Sequence, residues 1–192
     1  MDKQQYDEDI RQAVKTLREG GIILYPTDTV WGIGCDATNP DAVAKIYALK
    51  QRAESKSMLV LVDSPARAQI YVRDIPDTAY DMMELTNKPL TLILDGAKNL
   101  AHNLIAEDGS IGIRVTSEQY SHDICYRFGK AIVSTSANIS GQPSAAIFSE
   151  ISQEIKDGVD YIAQFRRDDT SKSKPSSIVK LKADGQVTII RP

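Results

Sequence analysis

Lys50 and Arg52 stand two residues apart, just where a helical pattern fades, and Ser134, Ser136 and Asn138 recur at the same spacing beyond a strand-like run. On a helix, residues two apart point about 200° away from each other, whereas on extended chain they share a face. Each set can therefore project to one side: two cations from the first segment, two hydroxyls and an amide from the second. Such groups suit phosphate oxygens and carboxylates. A third polar set, Thr27-Asp28-Thr29, follows Pro26. That proline ends the apolar run Ile22, Ile23, Leu24, Tyr25, because it lacks a backbone donor and fixes φ. Gly32 and Gly34 then let backbone come close to a ligand or a neighbouring segment. Polar groups gathered at the end of a buried strand have the character of a binding site. Plainer readings stand beside this one. Lys50 and Arg52 are also what a solvated helix end carries, and Ser136 and Asn138 are what a turn before Ser140-Gly141 uses.

Other chemistries find less support. Gly32-x-Gly34-x-x-Ala37 superficially fits a dinucleotide fingerprint, but the next helix starts at Pro40 rather than inside the glycine run. No GxxxxGK[ST] loop is present, so a nucleotide would be held differently. Cys35 and Cys125 are far apart, with no CxxC, and His102 and His122 lie in polar settings that suit surface histidines. That leaves neither a zinc set nor a Ser-His-Asp arrangement, and no protein metal site is expected. Buried free thiols are the expected state of both cysteines.

The elements that must position these residues alternate between strand and helix. Ile10, Val14 and Leu17 predict an amphipathic helix over 4–18, closed by Gly20-Gly21. Asn39-Pro40 opens a second helix, as an N-cap followed by proline at the first helical position. A buried strand is predicted over 58–62, a short helix from Ser64-Pro65, a helix over 77–85, and strands over 90–94 and 111–115. Tyr120, Ile124 and Phe128 mark a helix ending at Gly129, before a strand over 131–134. Ile147, Ile151 and Ile155 predict one last helix, stopped by Gly158. Strands over 159–163, 177–181 and 187–190 complete the pattern, and the basic stretch 166–174 is expected to be a mobile loop. Alternation of this kind predicts an α/β layered domain with a mixed sheet, spanning 1–192 as one unit.

Composition is that of an ordinary globular core, 42% hydrophobic and 26% charged over 192 residues. No apolar run approaches the ~20 residues of a membrane span, and the polar, acidic start is no signal peptide. A cytoplasmic protein without membrane partners is expected. A net charge of −3 argues against a wholly basic nucleic-acid binder, although a local basic groove is compatible with it.

Seven segments in fixed order carry a resemblance to a known family. They are Pro26-Thr27-Asp28-Thr29-Val30-Trp31-Gly32, Lys50-x-Arg52, Pro89-Leu90-Thr91, Ile113-Arg114-Val115, Ser134-Thr135-Ser136-Ala137-Asn138-x-Ser140-Gly141, Ser176-Ser177-Ile178-Val179 and Arg191. Together they resemble the YrdC-like family, the threonylcarbamoyl-AMP synthases, over nearly the whole chain. The resemblance implies a twisted mixed β-sheet flanked by helices around a basic concave groove. It implies the short form, without the C-terminal domain of longer members. It also implies a reaction in which L-threonine, bicarbonate and ATP give threonylcarbamoyl-adenylate and pyrophosphate. That product feeds the N6-threonylcarbamoyl modification of adenosine 37 in tRNA.

By position in the family pattern, Lys50, Arg52, Ser136 and Asn138 form a central catalytic tetrad. Thr29, Arg114, Ser134 and Ser176 contact threonine, and Arg52, Lys56, Ser110, Ser136, Ser144 and Arg191 contact ATP. Mg²⁺ accompanies the nucleotide, and the partners implied are a downstream threonylcarbamoyl-transferase complex and tRNA or double-stranded RNA. Several positions depart from the pattern. Ala53 stands where proline is usual, Lys56-Ser57-Met58 where Asn/Lys-Pro-Leu is, Asn87-Lys88 where Pro-Gly is, and Leu61 where some members carry a threonine-binding histidine. The rival reading is an RNA-binding or ribosome-associated module using the same groove, although 6% aromatic content offers few stacking platforms. A hydrogenase-maturation carbamoyltransferase shares the domain but embeds it among cysteine-rich zinc modules, which two cysteines cannot supply. A non-catalytic paralogue is disfavoured by the intact tetrad.

Overall fold

The computed structural model describes residues 1–53, 58–173, 175–182 and 184–192. Its strands are β1 (Ile23–Tyr25), β2 (Gly32–Gly34), β3 (Leu59–Val62), β4 (Leu90–Leu94), β5 (Ile111–Val115), β6 (Ile132–Ser136), β7 (Tyr161–Ile162), β8 (Ser177–Leu181) and β9 (Val187–Arg191). They form one mixed sheet in the order β7-β1-β2-β6-β3-β5-β4-β8-β9. The pairs β1/β7, β3/β5 and β4/β8 are parallel, and the remaining pairs are antiparallel. β-Branched and leucine side chains fill the centre of the sheet, with Ile33, Val60, Val62, Leu92, Ile113 and Val133 all fully buried.

The helices are α1 (Lys3–Arg18), α2 (Pro40–Leu49), α3 (Pro65–Ala68), α4 (Asp77–Leu85), α5 (Gln119–Phe128) and α6 (Gln153–Asp157), and side chains cap the start of each but α4. Asp2 and Gln5 close a capping box on α1, and the Asn39 side chain accepts from the amides of Asp41 and Ala42. Gly129, at φ 79°, ends α5 in the left-handed conformation that glycine adopts freely. α1 packs on α5, β1 and β7, while α3 and α5 pack on β3. Cys35 and Cys125 are buried and free.

One strand was not expected and one helix needs correction. Gly32–Gly34 forms β2, and the close backbone approach expected of its glycines is to the neighbouring strands. A Cβ at Gly34 would lie 2.6 Å from the Val133 carbonyl oxygen and 2.8 Å from Tyr25, so only glycine lets this strand press between β1 and β6. The single helix expected through Ile147, Ile151 and Ile155 is broken. A 3₁₀ turn at Phe148–Glu150 gives way to extended backbone at Ile151, and α6 begins afresh after Ser152, whose hydroxyl caps Ile155. Serine favours the cap over the helix interior, and that local choice overrides the isoleucine period.

The loop after β7 is anchored at its start. Arg166, at φ 60°, bonds Asp169 through Nε (2.9 Å) and the Thr27 carbonyl through Nη1 (3.3 Å). Upstream of it, the buried Asp9 carboxylate accepts from the Tyr161 hydroxyl and from the amides of Gln164 and Phe165. Among the described residues, no helix is long and apolar enough to cross a membrane.

Candidate active site

One face of the sheet carries a cleft of about 350 Å³. Its floor follows the strand register. Gly32 pairs with Ser136; Leu59 lies between Ser134 and Gly112, and Gly112 also meets Ile93; Ile178 lies between Thr91 and Arg191. All of these line the cleft. Side chains directly opposite one another share a face, so the register brings segments from Gly32 to Arg191 onto one surface. The space exists because the floor is built from glycine, serine and threonine where apolar strands would place bulk. Its charge comes from Arg52, Arg114 and Arg191, and no carboxylate lines it among the described residues.

Arg114 is held from behind. Its guanidinium is 3.1 Å from Asp28 Oδ1, with the two side chains only 4% and 7% exposed. Burial lowers the pKa of Arg114 while Asp28 offsets that; burial raises the pKa of Asp28, with Arg114 opposing and Glu118 adding to the rise. Thr29 and Thr27 lie beside this pair. The single hydroxyl proton of Thr27 goes to the Val30 carbonyl (2.7 Å), so in the 3.1 Å contact between the two hydroxyls Thr29 must be the donor. The Thr29 oxygen therefore meets the cleft as an acceptor. On the opposite side, Ser176 Oγ is 2.9 Å from Thr91 Oγ1, and Arg191 Nε donates to the Ser176 carbonyl at 2.8 Å.

Lys50 and Arg52 do not project together. α2 ends with Gln51 at φ 50°, and the amides of Gln51 and Arg52 bond back to the carbonyls of Ala48 and Tyr47. This paired closure is a Schellman motif with glutamine in the position that glycine usually takes. Its left-handed turn sends Arg52 into the cleft lining and keeps Lys50 inside, 1% exposed. The Lys50 ammonium donates to the carbonyls of Ser136 (2.5 Å) and Asn138 (2.6 Å), and the Lys50 carbonyl accepts from the Ser140 amide at 2.8 Å. Burial, with Arg52 adding to it, brings its pKa down to about 8. Lys50 thus fastens the segment after β6 to the end of α2. Ser136 lines the cleft, but Asn138 turns aside to bond the Ile139 and Gln142 carbonyls, because the extended run ends at Ser136. The four residues are brought together, two at the surface of the cleft and two behind it.

Of the remaining predicted contacts, Ser110, Ser134 and Ser144 line the cleft, and Lys56 lies outside the described residues. Ser110 is oriented by Asp108, which takes its hydroxyl at 2.6 Å and is itself held by Lys180 at 2.6 Å. Thr27 and Gly32, read from the sequence as parts of a polar, glycine-bearing strand end, also form the lining, as do Thr91 and Gly112, which were not singled out as site residues. Thr91 carried a readable signal, as the one polar residue in an otherwise apolar strand. A wider trough of about 1640 Å³ runs along α1, but its walls mix Asp7, Glu8, Arg11 and Lys15, and its buried carboxylate, Asp9, is already saturated with donors.

Comparison with known proteins places this architecture. The Sua5/YciO/YrdC family model, described as telomere recombination, matches residues 15–192. A threonylcarbamoyl-AMP synthase of Vibrio campbellii is 32% identical over 174 residues, covering 89% of this chain and 93% of that one. The crystal structure of Escherichia coli YciO superposes with a TM-score of 0.82 at 25% identity, covering 95% of this chain and 87% of the other. That of P. abyssi Sua5 complexed with L-threonine superposes with a TM-score of 0.80 at 22% identity, covering 90% of this chain. The chain matches only 50% of the length of that Sua5 protein. The breadth of the family match, the identity to the curated relative and the shared twisted mixed sheet agree: this chain belongs to the Sua5/YciO/YrdC family.

Proposed function

We propose that the protein is a threonylcarbamoyl-AMP synthase, joining L-threonine, bicarbonate and ATP into threonylcarbamoyl-adenylate with release of pyrophosphate. The observation that carries this reading is the cleft itself, where three arginines and a ring of small hydroxyls face one space with no opposing carboxylate among the described residues. Threonine brings a carboxylate and an ammonium. Arg114 can grip the former, and the Thr29 oxygen, its own proton committed to Thr27, can accept from the latter. Arg52 and Arg191 supply positive charge for the phosphates, and Ser110, Ser136 and Ser144 supply hydroxyls.

The neutral threonine amine attacks the bicarbonate carbon, forming a carbamate and releasing water. A carbamate oxygen then attacks the α-phosphorus, and pyrophosphate departs with its bonding pair. The described lining contains neither carboxylate nor imidazole, so proton transfer runs through solvent or substrate. Catalysis then rests on positioning and on charge stabilisation around phosphorus. For the same reason the lining, among the described residues, offers no anionic ligand for Mg²⁺, which would come with the triphosphate. Lys50 and Asn138 contribute by fixing the backbone that presents Ser136. In this reading the product is passed in the cytoplasm to a threonylcarbamoyl-transferase complex that modifies adenosine 37 of tRNA.

Pyrophosphate release from ATP and bicarbonate, with and without L-threonine, tests the proposal. Release should require threonine and fall about 100-fold or more in Arg52→Ala. Threonine-independent release would assign another acceptor. No release from a folded protein that still binds RNA in a salt-dependent way would make it a binding module.

A further inference from the structure

We propose that Asp28 is a positioning residue for the amino-acid substrate: from beneath the cleft floor it anchors one arm of Arg114 and so sets how the guanidinium faces the cleft. The inference rests on reading Arg114 as the group that binds the substrate carboxylate. Arg114 lines the cleft and Asp28 does not, yet the two are 3.1 Å apart and almost wholly buried. Neither Asp28 oxygen has a hydrogen-bond partner of good geometry, and the Nε of Arg114 is likewise buried without one. The ion pair is therefore what holds both groups. Ion pairs of this kind add little to stability, since the cost of burying two charges consumes most of their attraction. What the pair does supply is direction and charge. A guanidinium is a rigid planar fork, and fixing one corner limits the orientations of the others.

The surroundings agree with a charge-balancing role. Asp28 feels the positive charge of Arg114 and the negative charge of Glu118 at the start of α5. Arg114 feels Arg191 from across the cleft. With both Arg114 and Arg191 on the cleft, Asp28 keeps the empty site from accumulating unbalanced positive charge. Its place in the sequence, directly after Pro26-Thr27, makes it resemble a turn former.

The test is direct titration of L-threonine and, separately, of ATP into wild type, Asp28→Asn, Arg114→Gln and the double variant. Asparagine keeps the shape of the side chain and removes its charge. Asp28→Asn should weaken threonine binding about tenfold or more while ATP affinity stays within about twofold. In the Arg114→Gln background the same change should have no further effect, because Asp28 acts through Arg114. Threonine binding unchanged in Asp28→Asn, or independent losses that add in the double variant, would overturn the inference. Parallel loss of both affinities with a lower melting temperature would make Asp28 merely structural and would overturn it too. Failure of the wild type to bind threonine at all would instead remove the reading of Arg114, and this inference with it.

Discussion

Replacing Lys50 with methionine removes a buried ammonium while keeping the length of the side chain, and the effect on stability should depend on pH in a defined way. The pKa of Lys50 falls from 10.5 to about 8 in the folded protein. At about 1.4 kcal/mol for each unit, that is a burial cost of about 3 kcal/mol for the charged form. Below about pH 8 the group is charged in both states and the cost is fully felt. Between about pH 8 and 10.5 the unfolded chain holds a proton that the folded one has lost, so stability rises with pH. Methionine has no proton to lose. Denaturant unfolding of both proteins at pH 7 and pH 10 gives the comparison. The advantage of wild type over Lys50→Met should grow by about 2–3 kcal/mol across that interval. Buried tyrosines such as Tyr25 and Tyr120, whose pKa values are raised, oppose the trend but are common to both proteins and cancel. At pH 7 the variant should lose at most about 3 kcal/mol, since two carbonyls lose their donor while the burial cost disappears. An advantage that is flat with pH would refute the burial argument.

The paired glycines of β2 should separate function from folding. A methyl at Gly32 would sit 3.3 Å from the Thr27 methyl and 3.4 Å from Ser134 Oγ, so Gly32→Ala should weaken threonine binding and cost less than about 1 kcal/mol of stability. Gly34→Ala meets backbone at 2.6 Å and should instead cost about 1–3 kcal/mol, read as a lower denaturation midpoint. Gln51→Gly should raise the unfolding free energy by about 0.5–1 kcal/mol, because Gln51 holds a φ of 50° that glycine adopts without strain. Threonine titration of that variant should match wild type.

Much of the fold was legible because local preference and burial agreed. The spans 77–85, 90–94 and 111–115 were predicted with the bounds later observed. Gly32–Gly34 was legible as a place of close backbone approach but not as a strand, because the neighbours it presses against, Val133 and Tyr25, lie elsewhere in the chain. The break at Ile151 was hidden because a cap at Ser152 competes with an isoleucine period that still reads as helical. At the site, the period-2 argument held for Ser134 and Ser136, which lie on a strand. It did not transfer to Lys50 and Arg52, since the left-handed residue between them is a property of the helix end rather than of either side chain. Asp28 was read as one of a polar set at a strand end, but its own role was hidden for a similar reason, since only the approach of β5 supplies its cation.

The cleft floor runs through partners far apart in sequence, from Gly32 against Ser136 to Ile178 against Arg191. A ribosome delivers the chain from its N-terminus, so Thr29, Arg52 and Arg114 emerge well before the strands that complete their surroundings. Pairings of such long range also form late. An unfinished or clipped copy lacking β8 and β9 would keep Thr29, Arg52 and Arg114 but lose Ile178 and Arg191 from the lining. If the proposed function holds, nucleotide turnover is confined to copies translated through Arg191, a completeness check that the topology itself imposes.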